Sequence, residues 1–243
     1  MPQLVFIHGP GAGACPDAYV AQLKHFPGSV APMLPGHPDG KQCPDVASYT
    51  EWLRGWLWGK GLNKDLVLVG YTLGSCIALQ YGLDYPDEVR GIVAATVAMR
   101  SKGMKPEAFE MRRRAAENEK AFEEWLQYQQ RVMFLVDPAL REKLLERHRR
   151  IGPLSQLHDL KAVNAFDVSN RISTLKPRLL LLHGLEDPVA RLNGQANPAE
   201  YEREINEAVA DSRYIKLPKA GHFPFTEIPE KTNSLIEEFL ATL

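Results

Sequence analysis

Three polar side chains stand where this chain could do chemistry: the hydroxyl of Thr72, the carboxylate of Asp187 and the imidazole of His222. Thr72 lies in Gly70-Tyr71-Thr72-Leu73-Gly74, where the apolar run Leu66 to Val69 meets a helical pattern with no loop between. The two glycines allow a sharp strand-to-helix turn, and the central side chain of such a turn stands at the carboxyl end of its strand. Asp187 follows the apolar run Leu179 to Leu182, and His222 follows the run Arg213 to Leu217, so both occupy loops directly after strands. A hydroxyl is a poor nucleophile until a base shares its proton. Imidazole titrates near neutrality and can take that proton and return it to a leaving group. A carboxylate on the other ring nitrogen fixes the tautomer and stabilises the imidazolium.

The elements that must position these groups alternate along the chain. Short apolar runs at Leu4 to Ile7, Ser29 to Pro32, Leu66 to Val69, Val89 to Ala95, Leu179 to Leu182 and Arg213 to Leu217 predict six strands. Helical patterns fall between them: about Pro16 to Lys24, a helix capped by Asp45 through Leu57, Ser75 to Tyr85 stopped at Pro86, about Pro198 to Val209, and Glu230 to Leu243. Strands that are apolar throughout belong to parallel sheets covered on both faces, so the expectation is a doubly wound, mostly parallel, six-stranded α/β sheet. Residues 101–167 break the pattern with helical, heavily charged sequence in which Phe109, Trp125, Leu126, Met133, Phe134 and Leu135 are spaced among the charges. This block reads as a helical insertion into a single core of residues 1–100 and 168–243, placed as a cap over the carboxyl edge where ligands of such sheets bind.

Size and composition bound the rest. The 243 residues, 44% apolar and 24% charged, suit one large soluble domain with an insertion. A net charge of −1 gives no electrostatic case for nucleic acid or an anionic membrane. No apolar run approaches the roughly 20 residues that span a bilayer. The first residues read as a strand, without the basic region or cleavage site of a signal peptide. Cys15, Cys43 and Cys76 show neither C-x-x-C nor zinc spacing and read as reduced thiols of a cytoplasmic protein. No P-loop, dinucleotide fingerprint or ligand cluster calls for a metal or organic cofactor. His8, His37 and His183, at turns beside strands, read as structural.

With these pieces together, the chain resembles an α/β-hydrolase of the capped esterase and hydroxynitrile-lyase type. The resemblance rests on the His-Gly turn at His8, the G-x-S-x-G-like elbow at Thr72, the acid at Asp187 and His222 in Ala-Gly-His-Phe, in the family's chain order. It implies that Thr72 is the nucleophile, His222 the general base and Asp187 the residue orienting the base. It also implies an oxyanion hole from the backbone N–H of Leu73 and one from the loop after the first strand. Pro10 has no N–H, so Gly11 is the expected second donor. Tyr71, Trp125, Phe134 and Phe223 are expected to line an apolar pocket for a small-molecule acyl substrate, in a monomer or homodimer.

One departure from the family pattern is chemical. A β-branched Thr72 replaces the usual serine at a position commonly held at positive φ, and its γ-methyl crowds the approach of a carbonyl. Three readings follow: a threonine hydrolase, a lyase in which His222 moves a proton while Thr72 only binds, or a serine replaced by threonine through engineering. A ligand-binding protein with a degraded site is the non-enzymatic alternative.

Overall fold

The apolar runs form strands that lie side by side in chain order. The computed structural model describes residues 2–11, 16–100, 103–189 and 199–243. Its five strands, β1 (Gln3–Ile7), β2 (Leu66–Tyr71), β3 (Val89–Ala95), β4 (Arg178–Gly184) and β5 (Ser212–Leu217), make one sheet in that order. Every neighbouring pair is parallel. Alternate side chains of a strand point to opposite faces. Val5, Ile7, Leu66, Leu68, Leu179 and Leu181 therefore join one apolar cluster, while Leu4, Phe6, Val67, Val69, Leu180 and Leu182 join another. Helices α2 (Val46–Trp58) and α3 (Leu73–Asp84) cover the first face. Helix α1 (Val20–His25) and the closing helix Pro229–Leu240 cover the second.

The expected sixth strand is absent. Ser29 to Pro32 contributes only an isolated parallel bridge between Val5 and Val30. Two bonds make it, from Phe6 N–H to Val30 O at 2.8 Å and from Val30 N–H to Leu4 O at 3.1 Å. Pro32 has no N–H to continue the ladder, and Pro35 follows closely, so the pairing stops. β1 nonetheless pairs on both edges, with Val30 on one and β2 on the other. The chain thus winds outward in both directions from β1, and the crevice at the carboxyl ends of β1 and β2 is the switch point where such sheets bind ligands.

β2 passes into α3 with Thr72 as the single residue between. The turn works because two side chains are missing. A Cβ on Gly70 would lie 2.4 Å from the carbonyl carbon of Gly74, and a Cβ on Gly74 would lie 2.0 Å from the carbonyl oxygen of Ile7.

Between β3 and β4 the chain forms α4 (Pro106–Glu117), α5 (Glu119–Val132), α6 (Pro138–Ile151) and α7 (Pro153–Ala165). Their starts follow local chemistry: Asn118 and Asp137 accept backbone N–H bonds as N-caps, and proline opens α4, α6 and α7. α7 buries Ala162 and Val163 in the core of the main sheet. α6 fastens to the short 3-10 helix Pro16–Tyr19, which leads into α1, through ion pairs of Lys143 and Arg147 with Asp17. Met133, Val136, Leu144 and Leu145 pack against Phe223, which lies in the loop after β5. Cys43 and Cys76 form no disulfide, and Cys15 lies outside the described residues. Among the described residues no helix is long and apolar enough to cross a membrane.

The close approach at Gly74 is testable by stability. Gly74→Ala places a methyl group against the Ile7 carbonyl, and overpacking of this kind should cost about 3 kcal/mol. A urea unfolding midpoint equal to that of the unaltered protein would show that the turn has room to spare.

Candidate active site

The sharp turn fixes the first functional group. Thr72 has φ 49° and ψ −109°, a region that β-branched residues avoid. It is held there by its N–H, which donates to Ala95 O at 3.0 Å. Its hydroxyl, in a residue only 6% exposed, lies 3.3 Å from His222 Nε2 and 3.2 Å from Thr96 Oγ1. Thr96 follows the last residue of β3 and also has positive φ, 51°.

The imidazole and carboxylate come from two loops joined along their backbones. Leu185 N–H donates to Leu217 O at 3.0 Å, and Glu186 N–H donates to Ala220 O at 2.8 Å. This carries the ladder between β4 and β5 past the strand ends. Asp187 and His222 thereby meet, with His222 Nδ1 2.8 Å from Asp187 Oδ2. Asp187 Oδ1 accepts the Val189 N–H at 2.8 Å, which orients the carboxylate. A carboxylate only accepts, so Nδ1 carries the proton and Nε2 is left as an acceptor facing Thr72. Phe223 stands edge-on to His222 and to Tyr71, at ring separations of 5.0 and 5.4 Å. Below the histidine loop, Glu227 accepts the Gly221 N–H. Burial pushes its carboxyl up to about 7, against the pull of that amide and of His222.

The expected oxyanion donors fare differently. Leu73 is the first residue of α3, so its N–H belongs to the helix turn that has no intrahelical acceptors. The Gly11 N–H instead donates to Asp159 Oδ2 at 2.8 Å, so Gly11 is not a donor toward Thr72 in this arrangement. Asp159, on α7, also accepts from Tyr49 Oη at 2.7 Å and from His37 Nε2 at 2.6 Å. A buried carboxylate gathers every donor within reach, and the Gly11 amide is one of them.

Of the expected pocket residues, Tyr71 and Phe223 lie at the site. Trp125 is fully buried inside the insertion, packed on Phe122 and His148. Phe134 is 46% exposed. α5 ends at Val132, so Phe134 falls beyond the helix in the turn to α6, off its buried face. Sequence reasoning missed Thr96, Asp159 and Glu227. Thr96 had a usable signal, a hydroxyl directly after a strand on the same sheet edge. Asp159 and Glu227 had none, since neither follows a strand and each meets its partners only through folding.

Taken together, a parallel sheet wound in both directions, with a hydroxyl on a strand-to-helix turn facing an imidazole and a carboxylate from later loops, defines the α/β-hydrolase fold. The chain belongs to the alpha/beta hydrolase family, which it matches over residues 4–235. It is 28% identical over 104 residues to the AB hydrolase superfamily protein YisY of Bacillus subtilis, a match covering 43% of this chain and 36% of that one. It is 24% identical over 187 residues to RutD of Escherichia coli, whose name proposes carbamate hydrolysis, covering 74% of this chain and 67% of that one. Among solved structures, a thermophilic esterase from Thermogutta terrifontis superposes with a TM-score of 0.80 at 21% identity, covering 100% of this chain and 90% of that one. The enol-lactonase from Burkholderia xenovorans gives 0.80 at 18%, covering 99% and 92%. At such identities the superpositions establish the fold alone.

Buried imidazoles beside the site make stability depend on pH. Burial, aided by His37, holds His8 down to about 3, against an ordinary value of 6.5. The unfolded chain takes up this proton near 6.5 and the folded chain does not, so stability falls as pH drops below that value, by up to about 1.4 kcal/mol per unit. His37 has the opposite sign. Burial lowers it, but the bond and charge of Asp159 outweigh burial and raise it above 6.5. Its contribution is complete below 6.5 and lost as pH rises through the folded value. His8→Gln should therefore flatten the decline in stability between about pH 6.5 and 4. An unchanged slope in thermal melts across that range would contradict the neutral state of His8.

Proposed function

We propose that the protein hydrolyses small carboxylic esters or related acyl compounds through an acyl-enzyme on Thr72. The continuous line Thr72 Oγ1, His222 Nε2, His222 Nδ1, Asp187 Oδ2 supports this reading above any other observation. In it, His222 Nε2 takes the Thr72 proton as Oγ1 bonds to the substrate carbonyl carbon. Asp187 holds the ring and stabilises the imidazolium. The developing oxyanion is met by the Leu73 N–H at the positive end of α3. His222 then gives its proton to the leaving group, and the acyl-enzyme is released when His222 activates a water by the same route. Tyr71 and Phe223 form an apolar wall beside the acyl group, and the insertion of residues 101–167 acts as a cap over it. The names of the esterase, the lactonase and RutD agree with acyl chemistry of this class.

The engaged Gly11 amide, together with Pro10, favours a second reading. Loss of one oxyanion donor typically costs about 2.7–4 kcal/mol in activation free energy. A cofactor-free lyase, with His222 as acid and base and Thr72 as a hydrogen-bonding group, needs no such pair.

A fluorophosphonate probe separates the two. Covalent labelling at Thr72, located by mass spectrometry of the digested protein, is expected for the hydrolase. Failure to label, with cleavage of a cyanohydrin, would establish the lyase instead. Thr72→Ser removes the crowding methyl and should raise p-nitrophenyl acetate hydrolysis about tenfold, equivalent to about 1.4 kcal/mol of barrier.

A further inference from the structure

The insertion buries a second polar cluster that the proposed mechanism does not use. Arg112 of α4, 3% exposed, lies with Trp125 and Gln129 of α5 and Gln156 of α7, all of them buried. Three donors converge on one oxygen: Arg112 Nε, Trp125 Nε1 and Gln129 Nε2 lie 2.7, 2.9 and 3.0 Å from Gln156 Oε1. Gln156 Nε2 in turn donates to Gln129 Oε1 at 3.2 Å. Arg112 also donates from Nη1 to the carbonyl of Ala108, one turn back, and its guanidinium carbon lies 5.5 Å from the Tyr128 ring centre.

Two imbalances stand out. The first is of hydrogen bonds. A guanidinium, an indole and two amides share two amide oxygens, a backbone carbonyl and a phenol, so the acceptors are crowded. Gln156 Oε1 has two lone pairs and takes three donors.

The second imbalance is of charge. Among the described residues no carboxylate pairs with Arg112, and Tyr128 alone opposes the burial that lowers its pKa. Asp159, one turn along α7 from Gln156, is already engaged by His37, Tyr49 and Gly11. The neighbouring His148 is kept neutral, since burial and Arg112 push it down to about 3. A buried, unmatched cation is costly unless an anion completes it. The cluster also adjoins the catalytic end. A Cβ built on Gly11, in the loop after β1, would lie 2.9 Å from Gln156 Cβ.

We propose that Arg112, with Trp125, Gln129 and Gln156, forms a binding site for a carboxylate carried by the substrate, so that the preferred substrates are acyl compounds bearing a free acid group. An incoming carboxylate would relieve the shared Gln156 oxygen and neutralise the guanidinium, whose planar donor fork suits that group. One unmatched positive charge fits a carboxylate group, which carries a single charge, better than a phosphate group, which carries up to two. The word substrate rests on the hydrolase reading, whereas the anion site rests on the cluster alone.

The test uses the purified full chain. Calorimetric titration with glutarate, glutaramide and inorganic phosphate reads the site without turnover. Binding of glutarate, with neither of the others competing, is expected. Arg112→Met should weaken glutarate binding about tenfold or more, and Arg112→Lys should restore part of it. Kinetics then compare the mono-p-nitrophenyl ester of glutaric acid with neutral p-nitrophenyl pentanoate. The unaltered protein should favour the acid ester in kcat/KM about tenfold through KM, and Arg112→Met should bring that ratio toward one. No glutarate binding to the unaltered protein, or phosphate binding more tightly, overturns the proposal even if Arg112→Met fails to fold. Glutarate binding without turnover of any ester removes the hydrolase reading and leaves the anion site. Turnover of neutral esters with no glutarate binding does the reverse.

Discussion

The backbone of α3 lies so close to the end of β1 that no side chain fits between Gly74 and the Ile7 carbonyl, and the rest of the site depends on that contact. The contact leaves a single residue to turn from strand to helix, and that residue is Thr72 at positive φ. A β-branched side chain resists such angles, so surrounding bonds must hold the turn. Thr72 N–H is tied to Ala95 O. The neighbouring Ser75 Oγ lies 2.8 Å from Gly70 O and accepts the Ala95 N–H at 3.0 Å. Ser75 thus joins the elbow to β3, which accounts for a serine three residues after Thr72 that points away from the site.

A parallel sheet then performs the convergence. All its strands end on one edge, so every loop that follows a strand emerges there. Thr72, Thr96, Asp187 and His222 reach one place for this reason, although Thr72 and His222 are 150 residues apart. The β4 and β5 loops continue to pair beyond their strands, which sets the Asp187–His222 distance through backbone bonds rather than side-chain packing. Glu227 adds a half-buried acid under the same loop, where it receives the Gly221 amide. The imidazole is therefore positioned from two sides, by Asp187 on its ring and by Glu227 on the backbone of the preceding Gly221.

The insertion is joined to the main body by apolar packing and by polar contacts. Asp159 reaches from α7 to the loop after β1, to His37 and to Tyr49 of α2, so the insertion and the main body share one buried charged network. In that network the negative charge has a cationic partner in His37, whose pKa is raised despite burial. Three residues away on α7, Gln156 leads to the opposite case, a guanidinium that no carboxylate pairs with among the described residues. The same helix thus borders one buried charge with an opposite partner and one without such a partner among the described residues.

The residues that determine the fold act locally and are therefore legible in order along the chain. Glycines at 70 and 74 report a missing Cβ, apolar runs report buried strands, and a polar residue just after such a run reports a position on the sheet edge. From these the α/β architecture, the elbow and the placement of Thr72, Asp187 and His222 could all be read. The second apolar run was misread because Ser29 to Pro32 has the composition of a strand, while Pro32 lacks the amide a strand needs. Tertiary structure alone decided the rest. The Gly11 amide is engaged by a carboxylate 148 residues away, Phe134 lies two residues past the end of its helix, and Arg112 meets Gln156 only after α4 and α7 have packed. Hydrogen-bond partners and burial are properties of groups brought close in space, and no spacing along the polymer encodes which distant acceptor a given donor will find.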